Sequence, residues 1–191
     1  MTRSILALLA LLAVTPAFAA VQTFKISPKH TQVLFTYNHF GFSNPTGLLG
    51  DVTGTIRLDQ SDWSKSSVTA TIPLSSMQTG LQKLTEHLME PRYFDANKYP
   101  DITFKSTAVK QTGKKSLSVT GEVTIHGVTR PITLAVTING IGRNPMKPVT
   151  SAGFDADATL KRSDFGITHL IPLASDEIHV HMTVVGDHSQ P

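Results

Sequence analysis

The sequence predicts an all-β fold of eight antiparallel strands with one short helix between the third and fourth. Three observations predict it: apolar residues recur with a period of two along most of the chain, the alternating runs are short, and turn-forming residues separate them. In "TQVLFTYNHF", Val33, Phe35, Tyr37 and His39 share one face; in "DVTGTIRLD", Val52, Gly54, Ile56 and Leu58 do. "SVTATIPL" aligns Val68, Ala70, Ile72 and Leu74, and "DITFKST" aligns Ile102 and Phe104. The four later runs align Leu117 to Ile125, Ile132 to Ile138, Phe154 to Leu160 and Ile178 to Val184 at every second position. Such alternation is what a sheet with one dry and one wet face requires.

Between the third and fourth runs, Thr79-Gly80-Leu81-Gln82 resembles a capping box, and Pro91 would stop a helix. His126-Gly127 reads as a tight hairpin, since such turns need positive φ. Eight one-sided strands build either a sandwich or a closed barrel, and closure removes the exposed edges. The small residues Ala70, Gly121, Ala156 and Ala158 on the dry face point to an empty lumen, or else make room for large side chains opposite.

Residues 1–19, "MTRSILALLALLAVTPAFA", read as a secretory signal peptide. Arg3 precedes a short apolar run, and Ala17-Phe18-Ala19 is a cleavage signature. The run is too short to span a bilayer, and an uncleaved anchor is the competing reading. Residues 20–191 then form a single domain, expected in the periplasm or beyond. Removing Arg3 takes the formal charge from +3 to +2, with no basic stripe of the kind nucleic-acid binding needs. The absence of cysteine excludes disulfides, thiol catalysis and thiolate metal sites.

In "EIHVHMTVVG", His179 and His181 lie two apart, on the face opposite Ile178, Val180, Met182 and Val184. They read as the wet face of a strand before they read as a metal pair, and no metal is assigned. The sequence has no Gly-x-Ser-x-Gly, no His-Glu-x-x-His and no glycine-rich phosphate loop, so the chain is read as a non-enzyme. No cofactor is assigned.

The order of short motifs resembles the YceI-like family of lipocalin-like, polyisoprenoid-binding periplasmic proteins. "HTQVLFTYNHFGFSNPTG" is similar to the family's opening strand and glycine turn, and "IPLSSMQTG" and "EHLMEPRYFDANKYPDITFKST" follow in order. "GEVTIHGVTRPITL" resembles its hairpin and "GFDADATLKRSDFGI" its late strand and corner. The resemblance covers roughly residues 23 to 186. Pro45 and the loop "IGRNPMKP" depart from the pattern and are expected to reshape the barrel mouth.

The resemblance implies an extended eight-stranded antiparallel barrel with an apolar tunnel, a covering helix and a long prenyl-chain amphiphile as ligand. The expected function is transport, storage or sequestration of a polyisoprenoid, such as an isoprenoid quinone or polyprenyl lipid. Transient membrane contact and a homodimer are compatible with it. A stress-related or metal-binding protein acting through its outer face is the alternative. The expected lining is Phe35, Tyr37, Ile72, Leu74, Phe104, Phe154, Ala156 and Leu160, which plain core packing would use equally well. His39 is either a head-group contact or a buried histidine bonded to a backbone carbonyl. Arg162, in the corner Arg162-Ser163-Asp164-Phe165, either meets a head group or braces the corner through Asp164 or the backbone.

Overall fold

The structure, a computed structural model, describes residues 21–188; the expected signal peptide lies outside them. Ten strand segments form one sheet: β1 (Gln22–Ile26), β2 (Gln32–Thr36), β3 (Thr46–Leu49), β4 (Thr53–Leu58), β5 (Ser67–Pro73), β6 (Asp101–Gly113), β7 (Ser116–Ile125), β8 (Val128–Arg143), β9 (Thr150–Lys161) and β10 (Glu177–His188). All pairings are antiparallel, and β10 bonds β9 on one edge and both β1 and β2 on the other. The sheet is therefore a closed barrel.

Its staves number eight, because β1 and β2 run end to end along β10, and β3 and β4 run end to end beside them. The break in the first stave has a local cause. Pro28 opens a 3-10 turn at Pro28–His30, and the ladder is bridged there by Thr31, whose Oγ1 accepts from Val185 N at 3.1 Å. The break in the second falls at Asp51, with φ of 50°, where Gly50 N donates to Ser76 Oγ at 3.0 Å. Bulges between β6 and β7 and between β8 and β9 add the curvature that closure needs.

The helix α1 (Gln82–Leu88) follows the fifth strand, not the third. It still lies between the "SVTATIPL" and "DITFKST" strands, but β1 and β3 are short segments that the period-two reading did not assign as strands. Its N-terminus is no capping box. Thr79 Oγ1 accepts from Leu81 N at 3.3 Å and meets Thr85 Oγ1 at 3.0 Å, while Gln82 donates to Glu86 at 2.8 Å. The helix ends at Leu88, three residues before Pro91.

The hairpin at Ile125–Val128 turns through His126 and Gly127, with φ of 52° and 73°. Two successive positive-φ residues match the twist of the flanking strands. A Cβ on Gly127 would stand 2.3 Å from the Tyr99 ring, so only glycine fits. Gly121 is small for another reason: a Cβ there would stand 2.5 Å from the Phe104 ring, which fills the space.

Leu74, 1% exposed, is among the most deeply buried side chains. Leu74→Ala is expected to cost about 2–5 kcal/mol of unfolding free energy, read by urea denaturation, while leaving the interior wall described below unchanged.

Candidate functional site: an apolar cavity along the barrel axis

The barrel encloses a cavity of about 380 Å³, within the range of small-molecule sites. Its wall is drawn from every stave. It runs from Leu58, Ser66, Val109 and Leu117 at one end to Tyr37, His39, Arg162 and α1 at the other, the mouth. Phe35, Tyr37 and His39 border it from β2 and its extension, Ile72 from β5, Phe104 from β6, and Phe154, Ala156 and Leu160 from β9. Arg162 borders it at the corner after β9.

Leu74 does not border the cavity. The alternation of β5 stops at Pro73, where the chain enters a 3-10 turn, and Leu74 N donates to Pro100 O at 2.8 Å. Period two holds only while the strand lasts. The sequence reading also omitted Leu84, Leu88, Tyr93 and Phe94, which border the mouth from α1 and the segment after it. The four-residue spacing of Leu84 and Leu88 was the available signal.

The mouth concentrates the polar groups. The His39 ring lies 4.0 Å from that of Phe40 and 6.4 Å edge-on from Tyr37. His39 is half-buried, and its imidazole makes no hydrogen bond to a carbonyl among the described residues, so the expected carbonyl-bonded histidine is not what is found. Tyr93 stands between two imidazoles, 4.9 Å from His87 and 5.4 Å from His169. Burial, and then the neighbouring Tyr93, push the Tyr37 hydroxyl above the usual tyrosine range, with Arg162 opposing.

Arg162 braces the corner. Its Nε donates to Ser175 O at 2.9 Å, Nη1 to Ile167 O at 3.2 Å and His169 O at 2.7 Å, and Nη2 to Ala174 O at 3.0 Å. Burial lowers its pKa, Asp176 favours the charged form, and a guanidinium stays protonated in proteins. The carboxylate of this corner is Asp176 rather than Asp164: it accepts from Ser163 N at 2.8 Å and from Ser163 Oγ at 2.7 Å. The planar fork therefore organises the loop of residues 166–175, leaving little donor capacity for a head group.

The proline departures separate. Pro45 sits by the mouth, its carbonyl accepting from Tyr37 N at 3.3 Å. The "IGRNPMKP" loop joins β8 to β9 at the opposite end, so it does not shape the mouth.

His179 and His181 lie on the outer face. His181 Nδ1 meets Asp157 Oδ1 at 2.7 Å, and His179 meets Thr159 Oγ1 at 3.1 Å and Glu177 at 3.4 Å. Among the described residues no three His, Cys, Asp or Glu side chains are placed to hold a metal ion. The imidazoles are engaged in cross-strand and same-strand pairs.

A closed antiparallel barrel around an apolar cavity, with its histidines, tyrosines and one arginine gathered at the mouth, defines a binding-protein fold. The chain belongs to the YceI-like domain family, whose model matches residues 24–186. It is 37% identical over 158 residues to a UPF0312 protein of Pseudomonas savastanoi pv. phaseolicola, covering 83% of this chain and 82% of the relative. Two solved structures share the fold. Burkholderia cenocepacia BcnA has a TM-score of 0.76 at 22% identity, covering 84% of this chain and 98% of that one. A domain of Saccharophagus degradans described as polyisoprenoid-binding has a TM-score of 0.64 at 12% identity, covering 89% and 100%.

Arg162→Lys keeps the charge but removes the fork. It is expected to cost about 2–4 kcal/mol, because buried carbonyls lose their donors. Hydrogen exchange should quicken selectively in residues 166–176; uniform quickening across the barrel would contradict the bracing role.

Proposed function

We propose that this protein holds the tail of a long-chain polyisoprenoid or similar amphiphile in the barrel cavity and carries it through the periplasm. The observation that carries the reading is the wall: among its residues Arg162 is the sole Lys, Arg, Asp or Glu, and that guanidinium is spent on backbone carbonyls. Likeness in fold to a domain described as polyisoprenoid-binding supports the ligand class.

Tail burial supplies the driving force, at about 0.8 kcal/mol gross per methylene, against which ordering of the flexible tail must be set. Strands of 12 residues, such as β9 and β10, extend about 40 Å before tilt. That length suits a chain reaching through much of a bilayer leaflet pair. A charged head placed inside would be costly to desolvate without a free counter-ion. The ligand's head is therefore an uncharged polar group, a quinone, phenol or alcohol, placed among Tyr37, His39 and Tyr93 at the mouth. The role is carriage, storage or sequestration, and no covalent step is assigned.

Native mass spectrometry of the mature protein from its own cells, with lipid extraction, tests the reading. A stoichiometric prenyl lipid supports it; protein that stays empty when offered such lipids rejects it. With geranylgeraniol as probe at about a hundredfold excess over its Kd, binding should stabilise the fold by about 2.7 kcal/mol and raise Tm by about 5–10 °C. Ala156→Phe, which puts a ring into the cavity, should abolish that rise with the far-ultraviolet circular dichroism unchanged.

A further inference from the structure

Of the seven exposed large apolar side chains among the described residues, five lie at the mouth end of the barrel, Leu81 on the α1 side and four on two loops, while Met146, 88% exposed, and Val21 lie at the other end. Phe42 is 93% exposed, Leu173 62%, Phe40 40% and Leu170 39%. They sit on two loops that are zipped together by the backbone: Phe40 N donates to Leu173 O at 2.9 Å, and His39 pairs with Ala174. Phe40 and Leu170 have φ of 58° and 62°, a region costly for bulky side chains, so the surrounding hydrogen bonds must hold them there.

Charge is missing from both loops. From Thr36 to Gly50 and from Phe165 to Ser175 there is no Asp, Glu, Lys or Arg, although 16% of the chain is charged. The neighbouring rims differ: the α1 side of the mouth carries Lys83, Glu86, Glu90 and Arg92, and the turns at the other end carry Lys114, Lys115, Arg143 and Lys147. The apolar rim is continuous with the cavity, since His39, Leu170 and Ala174 of the same loops border it.

We propose that these two loops form a membrane-docking rim that inserts Phe42, Leu173 and their neighbours into the interfacial layer of a lipid bilayer. An apolar rim without charges enters that layer without desolvating an ion, and it sets the mouth against the bilayer so that a tail passes between lipid and cavity with little exposure to water. A protein partner would ordinarily be met by a polar ring around an apolar centre; here the two apolar loops flank one side of an opening that leads into an apolar cavity, with α1 on the other side, and that continuity favours a lipid surface. The docking rests on the carrier reading for its purpose, not for its chemistry.

The test is co-flotation of the full mature protein with vesicles of phosphatidylethanolamine and phosphatidylglycerol, and with vesicles of phosphatidylcholine alone. Wild type is compared with Phe42→Ser/Leu173→Ser, a double variant at exposed sites that do not border the cavity. Wild type should bind both vesicles, with little change between about 0.1 M and 0.5 M salt, because insertion of apolar groups is not screened. The double variant should bind about tenfold more weakly while keeping the wild-type Tm and geranylgeraniol response. Absent binding, an unaffected double variant, or binding lost at the higher salt overturns the rim. So does light scattering that shows a wild-type dimer, broken in the variant, with no vesicle binding, since the patch would then be a self-association face. Vesicle binding with no geranylgeraniol response would uphold the rim and reject the carrier reading.

Discussion

The ring of antiparallel hydrogen bonds that closes on β10 is the constraint on which the rest of the molecule depends. β10 is bonded along its whole length to β9 and, on its other edge, to β2 and then β1. Closure pairs the backbone around most of the circumference, the gaps being the outer edge of β3, bridged only between Leu48 and Gln78, and β8 before Ala135, which does not pair with β9. The barrel wall is thereby held without side chains filling its centre. A sandwich of the same strands would have had to interdigitate its two inner faces. The cavity is a consequence of closure, and its apolar wall follows from alternation along every stave.

The two ends of the barrel are built differently, which gives the cavity a direction. At the far end the Asp59 carboxylate collects Ser61 N at 2.9 Å and Asp62 N at 3.0 Å, while Asp59 N donates to Ser66 Oγ at 3.0 Å. That knot holds a tight loop, with Trp63 packed against the core. At the mouth, long-range bonds tie separate loops together. Arg162 gathers four carbonyls, His126 Nδ1 meets Phe165 O at 3.0 Å, and Tyr99 packs over Gly127. The far end is closed by local structure, and the mouth is arranged by contacts between distant segments.

The small residues of the inner face divide into two physical roles. Gly121 is small because the Phe104 ring needs its place, and Gly47 stands in the same relation to the Phe35 ring. Ala70, Ala156 and Ala158 border open space. Both readings of small inward residues are therefore realised in one barrel, at different positions. Free volume inside a fold forfeits dispersion contacts, and occupation by an apolar chain restores them.

The sequence by itself determined which side of each strand faces inward, because period two is a local property of the chain: Phe35, Ile72, Phe104, Phe154 and Leu160 could be placed on the inner face from spacing alone. It also marked the hairpin at His126-Gly127, whose turn chemistry is equally local. The tertiary structure alone decided what lay beyond the reach of neighbours in sequence. Leu74 left the wall because the chain turns after Pro73, and the short segments β1 and β3 were revealed as the pieces that complete the staves of β2 and β4. The choice of carbonyls over a head group for Arg162, and the roof that α1 lays over the mouth, depend on which loops closure brings side by side. Residues 162 and 175 meet, or 39 and 174, only once the register around the whole barrel is set, and no local pattern carries that register.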